Sequence, residues 1–361
     1  MKLFIPGPTQ VHPDVLAEMS RPAIGHRTEE CAELWGEARK GLAWLMQTEA
    51  EILMLTAPAS AMMEAAVRNL VKTRSLHLIN GAFSKRWYDI GAANGTEAQK
   101  LEVPMGEAVT APMLEKLLKS EADAGRSFDI VTVVHNETST GTVTPIAELA
   151  EVLKAYPDTL LCVDTVSSMA GSPIPVDEWK IDVCLFGLQK CLALPAGMAI
   201  ASVSDRALER AADVPARGWF LDFLKLRDKN VKEQSPTTPS TAHMYALVAQ
   251  LKRIRSEGLE QRWQRHRDMA QRVRDWATAK GWTMFPAEGF RSTTVSCIGR
   301  GDGPDFVPAL NQLKADGILV SNGYGDLKGK TFRIGHMGEH QMTDIDDLLA
   351  RFDQALLTAA Q

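Results

Sequence analysis

Cysteine is scarce in this chain. The five residues Cys31, Cys162, Cys184, Cys191 and Cys297 form no CxxC pair in 361 positions. An odd number, with several inside apolar runs, argues against a disulfide framework and for a reduced, cytoplasmic protein. No apolar run is long enough to span a bilayer. The opening MKLFIPGPTQ has too short an apolar run before its prolines to read as a signal peptide. Internal repeats and low-complexity tracts are absent. No strand-like run is followed by GxGxxG, which weighs against a nicotinamide enzyme. His336 and His340 in HMGEH lack a third ligand of obvious spacing, so no metal site is expected. The formal net charge of -5 is mild and carries no large basic surplus for nucleic acid or a membrane surface. The basic run at 252–274 interleaves acids with its arginines and has no aromatic platform, so it reads as a solvated helix face.

What is present is a soluble globular composition, 45% hydrophobic and 24% charged, at a length that suggests a large and a small domain. Apolar runs recur at 51–56, 75–80, 130–135, 159–164, 181–187 and 197–204. They do not alternate strictly, which suits strands covered on both faces of a mostly parallel sheet. Helical patterns lie between them, such as 61–72 and 145–156, the latter with Thr144 as N-cap and Pro145 as its first residue. From about 250 the texture changes to one long charged helical region containing Gly258. Short strands at 293–298 and 331–335 and helices at 305–316 and 343–357 follow, as in a smaller α+β domain.

In open α/β sheets, ligands bind at the carboxyl ends of the strands. After 51–56 come the small residues of TAPAS and a helix. After 75–80 comes NGAFSKRW, and after 130–135 comes HNETSTG. The run 159–164 ends on Asp164, and LQK, ending at Lys190, follows 181–187. A lysine at the end of an apolar strand is partly dry, which frees a neutral amine for a Schiff base. A carboxylate pairs with a ring nitrogen, a helix start holds phosphate, and an aromatic face stacks on a flat ligand. Together these are the needs of pyridoxal 5'-phosphate.

The motifs PGPT, HNETSTG, VDTVSSMAG, LQKCLALPAG and FRIG resemble those of class V aminotransferases of fold type I. The likeness covers nearly the whole chain. It is to the alanine–glyoxylate and serine–pyruvate aminotransferase group, and also to phosphoserine aminotransferases. The resemblance implies an arm over 1–15 on the substrate side, a cofactor-binding domain over 16–255 and a small domain over 256–361. It implies that Lys190 forms the Schiff base and moves a proton, and that Asp164 sits against the pyridine nitrogen. Phe83 would stack on the ring, Thr138 would meet the phenolic oxygen side, and Gln189, Ala59 and Ser60 would hold phosphate. Thr238 would reach that phosphate from the partner in a homodimer, and Arg333 would clamp the substrate carboxylate. His26 and Arg27 would meet a substrate phosphate, bind a plain carboxylate or brace the subunit interface. Two departures stand out. The phosphate loop TAPAS has no glycine, and Phe83 replaces the larger aromatic of many relatives.

The implied reaction moves an amino group from serine, alanine or phosphoserine to glyoxylate, pyruvate or 3-phosphohydroxypyruvate. A lyase of the cysteine desulfurase kind is the alternative within the same fold. A non-catalytic cofactor-binding module is the alternative outside catalysis.

Overall fold

The computed structural model describes residues 1–359. The apolar runs form a seven-stranded sheet in the order Glu51–Leu55, Ala199–Val203, Val183–Gly187, Leu160–Asp164, Ile130–Val134, Arg74–Ile79, Glu97–Glu102. Only Ala199–Val203 runs antiparallel to its neighbours. Five of the strands are buried at every position, which is why they read as unbroken apolar runs and not as alternation. The edge strand Glu97–Glu102 is half exposed, and its polar sequence EAQKLE hid it from the hydrophobic pattern. Helices cover both faces, as expected for an α/β sheet.

A second sheet has the order Lys2–Phe4, Ile318–Asn322, Thr331–Gly335, Val295–Gly299, Thr283–Met284. Lys2–Phe4 pairs in parallel with Ile318–Val320, so the start of the chain closes the sheet formed by its end. Lys2–Phe4 does not stand out in the sequence, because its partner strand lies more than 300 residues away. Behind this sheet lies an aromatic core of Phe4, Trp276, Trp282, Phe306, Phe332 and Phe352.

Three local expectations change. The long charged region is two helices, Thr241–Glu257 and Leu259–Ala279, broken at Gly258, whose φ of +89° no helix tolerates. Thr144 does not cap the next helix, which spans Ile146–Leu153 with Pro145 in the capping position. The Thr144 N–H donates to His135 O and its Oγ1 accepts from Asn80 Nδ2 at 3.1 Å, so its polar groups are used across the sheet end instead. The basic run is not wholly a solvated face. Arg267 and Arg272 are exposed, but Arg262 is buried. Arg262 donates to Glu257 at 2.6 Å and to the carbonyls of Cys191 at 2.8 Å and Gly338 at 3.1 Å. A buried guanidinium is tolerated when acids and carbonyls satisfy it, and here they take up both terminal nitrogens, while Nε has no partner among the described residues.

Candidate active site

Asp164 is the last residue of its strand and is almost completely buried. Burial pushes its carboxyl up to about 7, against the pull of the Val166 N–H, which donates to Oδ1 at 2.7 Å. Among the described residues only that oxygen has a protein donor, which leaves the other for a ligand. Lys190 follows the neighbouring strand Val183–Gly187 by three residues. Burial holds its amine down to about 8. Adjacent parallel strands thus bring a reluctant acid and a reluctant base to one cavity.

Of the residues singled out in the sequence, Ala59, Ser60, Phe83, Thr138, Asp164, Gln189 and Lys190 line that cavity. Ala59 and Ser60 open the helix Ser60–Leu70 directly after the first strand. The first N–H groups of a helix have no partner within it and face the positive end of the dipole, so an anion is favoured there even without glycine. Phe83 is the second residue of the helix Ala82–Ala93, and its ring centroid lies 5.9 Å from Lys190 Nζ. Arg333, on Thr331–Gly335, is buried beside the cavity and donates Nη1 to Thr138 O at 3.1 Å.

Three expected residues stay apart from it. Thr238 is exposed on the segment before the helix Thr241–Glu257. His26 and Arg27 also lie away from the cavity, and Arg27 donates to Ser235 O at 2.7 Å. Arg27 therefore holds the same segment that carries Thr238. His336 is buried against Ser296 Oγ at 3.0 Å, and His340 Nε2 donates to Leu3 O at 2.9 Å. Among the described residues no cluster of His, Cys, Asp and Glu is arranged to hold a metal.

Other residues at the site were not singled out from the sequence. Glu137 is fully buried and accepts from the N–H groups of Phe83 at 2.9 Å and Ser84 at 3.0 Å. It also accepts from Ser139 Oγ at 2.6 Å. One carboxylate thus caps the helix bearing Phe83 and fixes the turn bearing Thr138. An acid inside HNETSTG was the available signal. Arg86 lines the cavity, with its guanidinium 4.8 Å from the Phe83 ring centroid. The N-terminal arm crosses the lysine. Lys190 Nζ donates to Pro6 O, and Thr9 Oγ1 donates to Lys190 O at 2.9 Å. Gly7 has φ +113°, and a Cβ there would fall 2.5 Å from Lys190 Cδ, so PGPT needs its glycine.

The donor set suits pyridoxal phosphate: an amine with a lowered pKa, a buried acid with an open oxygen, a ring face and a helix start around one cavity. The sequence model of the family described as aminotransferase class-V matches residues 3–323. The chain belongs to the class-V aminotransferases. An uncharacterized aminotransferase of Methanocaldococcus jannaschii is 38% identical, over 93% of this chain and 87% of its own. The L-aspartate–glyoxylate aminotransferase of Paracoccus denitrificans is 32% identical, over 93% of this chain and 86% of its own. The solved alanine–glyoxylate aminotransferase of a Nostoc species superposes with a TM-score of 0.90 at 29% identity, covering 98% of this chain and 94% of that one. This aminotransferase has the fold-type I architecture of its solved relatives, and its cofactor is pyridoxal phosphate.

Proposed function

We propose that this aminotransferase moves the amino group of a small amino acid to a small 2-oxo acid, in two half-reactions of ping-pong type. The donor is serine, alanine or phosphoserine; the acceptor is glyoxylate, pyruvate or 3-phosphohydroxypyruvate. The observation that carries the reading is the meeting of Lys190, Asp164 and Phe83 at one cavity, with Arg333 beside it. Two of the similar proteins named above are glyoxylate aminotransferases, which supports glyoxylate as acceptor.

Pyridoxal phosphate, when bound, supplies the electron sink that makes a proton on the substrate Cα removable. Lys190 would hold the cofactor and, with an amine whose pKa burial lowers to about 8, would carry the proton from and to that Cα. Asp164 presents its carboxylate to the ring nitrogen. A cation placed there lowers the energy of the charged acid, which burial alone opposes. Phe83 covers one ring face, held by Glu137. Ala59, Ser60 and Gln189 would hold the phosphate, and Thr138 would meet the phenolic oxygen side. Arg333 binds the substrate carboxylate as a planar fork.

In this reading the protein is a cytoplasmic homodimer, and Thr238 reaches the partner's cavity. Arg27 is tied to Ser235, so it travels with Thr238 and arrives at the same place. There it and His26 bind a substrate phosphate, bind a carboxylate or brace the interface. The desulfurase alternative needs a reactive cysteine on an accessible loop. All five cysteines are buried, and the Cys191 thiol is pushed up to about 12 by burial. That counts against sulfur transfer.

The test is a spectral half-reaction screen. Alanine, serine, phosphoserine, aspartate and glutamate are added in turn to the holoenzyme, and the loss of the cofactor's visible band is followed. A small donor should react fastest, and borohydride should fix the cofactor on Lys190. A Lys190→Ala protein that transaminates at the wild-type rate would sink the mechanism. If phosphoserine outpaces serine and Arg27→Ala abolishes only that preference, the phosphate role of Arg27 is supported.

A further inference from the structure

Tyr324 is 38% exposed although it is a large aromatic residue, and the mechanism above does not use it. It sits on the turn that joins Ile318–Asn322 to Thr331–Gly335. This turn is not loose. Asn322 Oδ1 accepts from the N–H groups of Gly323 and Gly329, both at 2.8 Å. A Cβ on Gly323 would lie 2.0 Å from Leu327 O, so the turn closes only around glycine. The carbonyl of the same Asn322 accepts from Arg333 Nε at 3.3 Å and Nη2 at 3.1 Å. One residue therefore fixes both the tyrosine and the guanidinium.

The placement of the ring is specific. Its centroid lies 5.5 Å from Arg333 Cζ and 5.7 Å from the centroid of Phe83, tilted by 46°. Phe83 belongs to the first sheet's helices and Arg333 to the second sheet, and Tyr324 spans the gap between them. A molecule with its carboxylate on Arg333 and its Cα near the ring that Phe83 covers has to pass within contact distance of Tyr324. An apolar ring face at that point favours a short side chain and collides with a long one.

We propose that Tyr324 is a specificity-determining residue, the wall that limits this aminotransferase to amino acids with short side chains. The proposal rests on the reading of Arg333 as the carboxylate clamp.

The experiment measures half-reaction kcat/KM for the unbranched series alanine, 2-aminobutyrate, norvaline and norleucine. It uses wild-type holoenzyme and the Tyr324→Ala, Tyr324→Val and Tyr324→Phe variants. Wild type should lose rate with each added methylene. Tyr324→Ala should raise norvaline relative to alanine by about tenfold or more, the scale of one or two methylenes in a pocket. Tyr324→Val should give a smaller gain, and Tyr324→Phe should keep the wild-type profile. A Tyr324→Ala series parallel to wild type overturns the proposal, as does an equal loss for every donor. Should Tyr324→Ala fail to fold, Tyr324→Val decides by the same slopes. Arg333→Lys separates the underlying reading. It should raise KM for all donors alike and leave the slope of the series unchanged. An unchanged KM would remove the clamp, while the slopes of the Tyr324 variants would still judge the wall.

Discussion

The two sheets meet beside the cavity, where Arg333 of the second donates to Thr138 O on its lining, and they contribute to the site in different ways. The seven-stranded sheet has an aliphatic core and delivers Asp164 and Lys190 from adjacent buried strand ends. Both groups are held away from their ordinary protonation by burial. The second sheet has a core of aromatic rings packed mostly edge to face and carries Arg333 and Tyr324 on a hairpin. Arg333 there is satisfied by carbonyls, and Tyr324 is partly open to solvent. Perturbed acids and bases need a rigid dry scaffold, because any local opening would rehydrate them and restore their usual pKa values. Recognition of a carboxylate and a side chain needs reach and shape, which a turn supplies.

This division predicts opposite responses on the two sides. At the strand ends, Lys190→Ala should leave the melting temperature nearly unchanged and cut turnover by roughly 10²–10⁴-fold, the scale of a lost proton-transfer group. In the wild-type apoprotein, cofactor capture requires the neutral amine. Its rate should therefore rise with pH and level off above about 8. A capture rate still climbing steeply near pH 10 would show that Lys190 is not dry.

In the second sheet, Phe352→Ala should do the reverse. Phe352 is fully buried, with ring centroids 5.0 Å from Trp276 and 5.3 Å from Phe332. Its loss should cost about 3–5 kcal/mol by chemical denaturation. The visible band of the cofactor in the protein that remains folded should be unchanged. A changed band would mean that the two cores are not separable.

Asp164→Asn should give the smallest energetic change, and its sign distinguishes a functional carboxylate from a structural one. The folded pKa of about 7 exceeds the unfolded value of about 3.8, so the folded apoprotein holds its proton between those limits. Stability from this group is present below about pH 4 and is lost as pH rises through about 7. Asparagine carries no charge to bury. The apo variant should therefore be more stable than wild type at pH 8, on the order of 2–4 kcal/mol, and nearly equal to it at pH 4. Turnover should fall while stability rises. Equal stabilities at pH 8 would show that the Asp164 charge is already compensated without cofactor.

By itself, the sequence determined the class of fold and the chemistry of the strand ends. Continuous apolar runs such as IVTVV report burial on both faces, and a charged residue directly after such a run is anomalous enough to notice. Asp164 and Lys190 were legible for that reason; the motifs around them carried the family, and the roles of Ser60 and Phe83 came only with that resemblance. Only tertiary structure decided the rest. The Pro6–Lys190 contact spans 184 positions, and the Thr138–Arg333 contact spans 195. No local pattern encodes which strand end faces which hairpin. The cap that Glu137 places on the helix of Phe83, and the Tyr324 ring between Phe83 and Arg333, exist only once the two sheets have packed. Periodicity records how buried each residue is; the partner it is buried against is set by the topology that brings the sheets together.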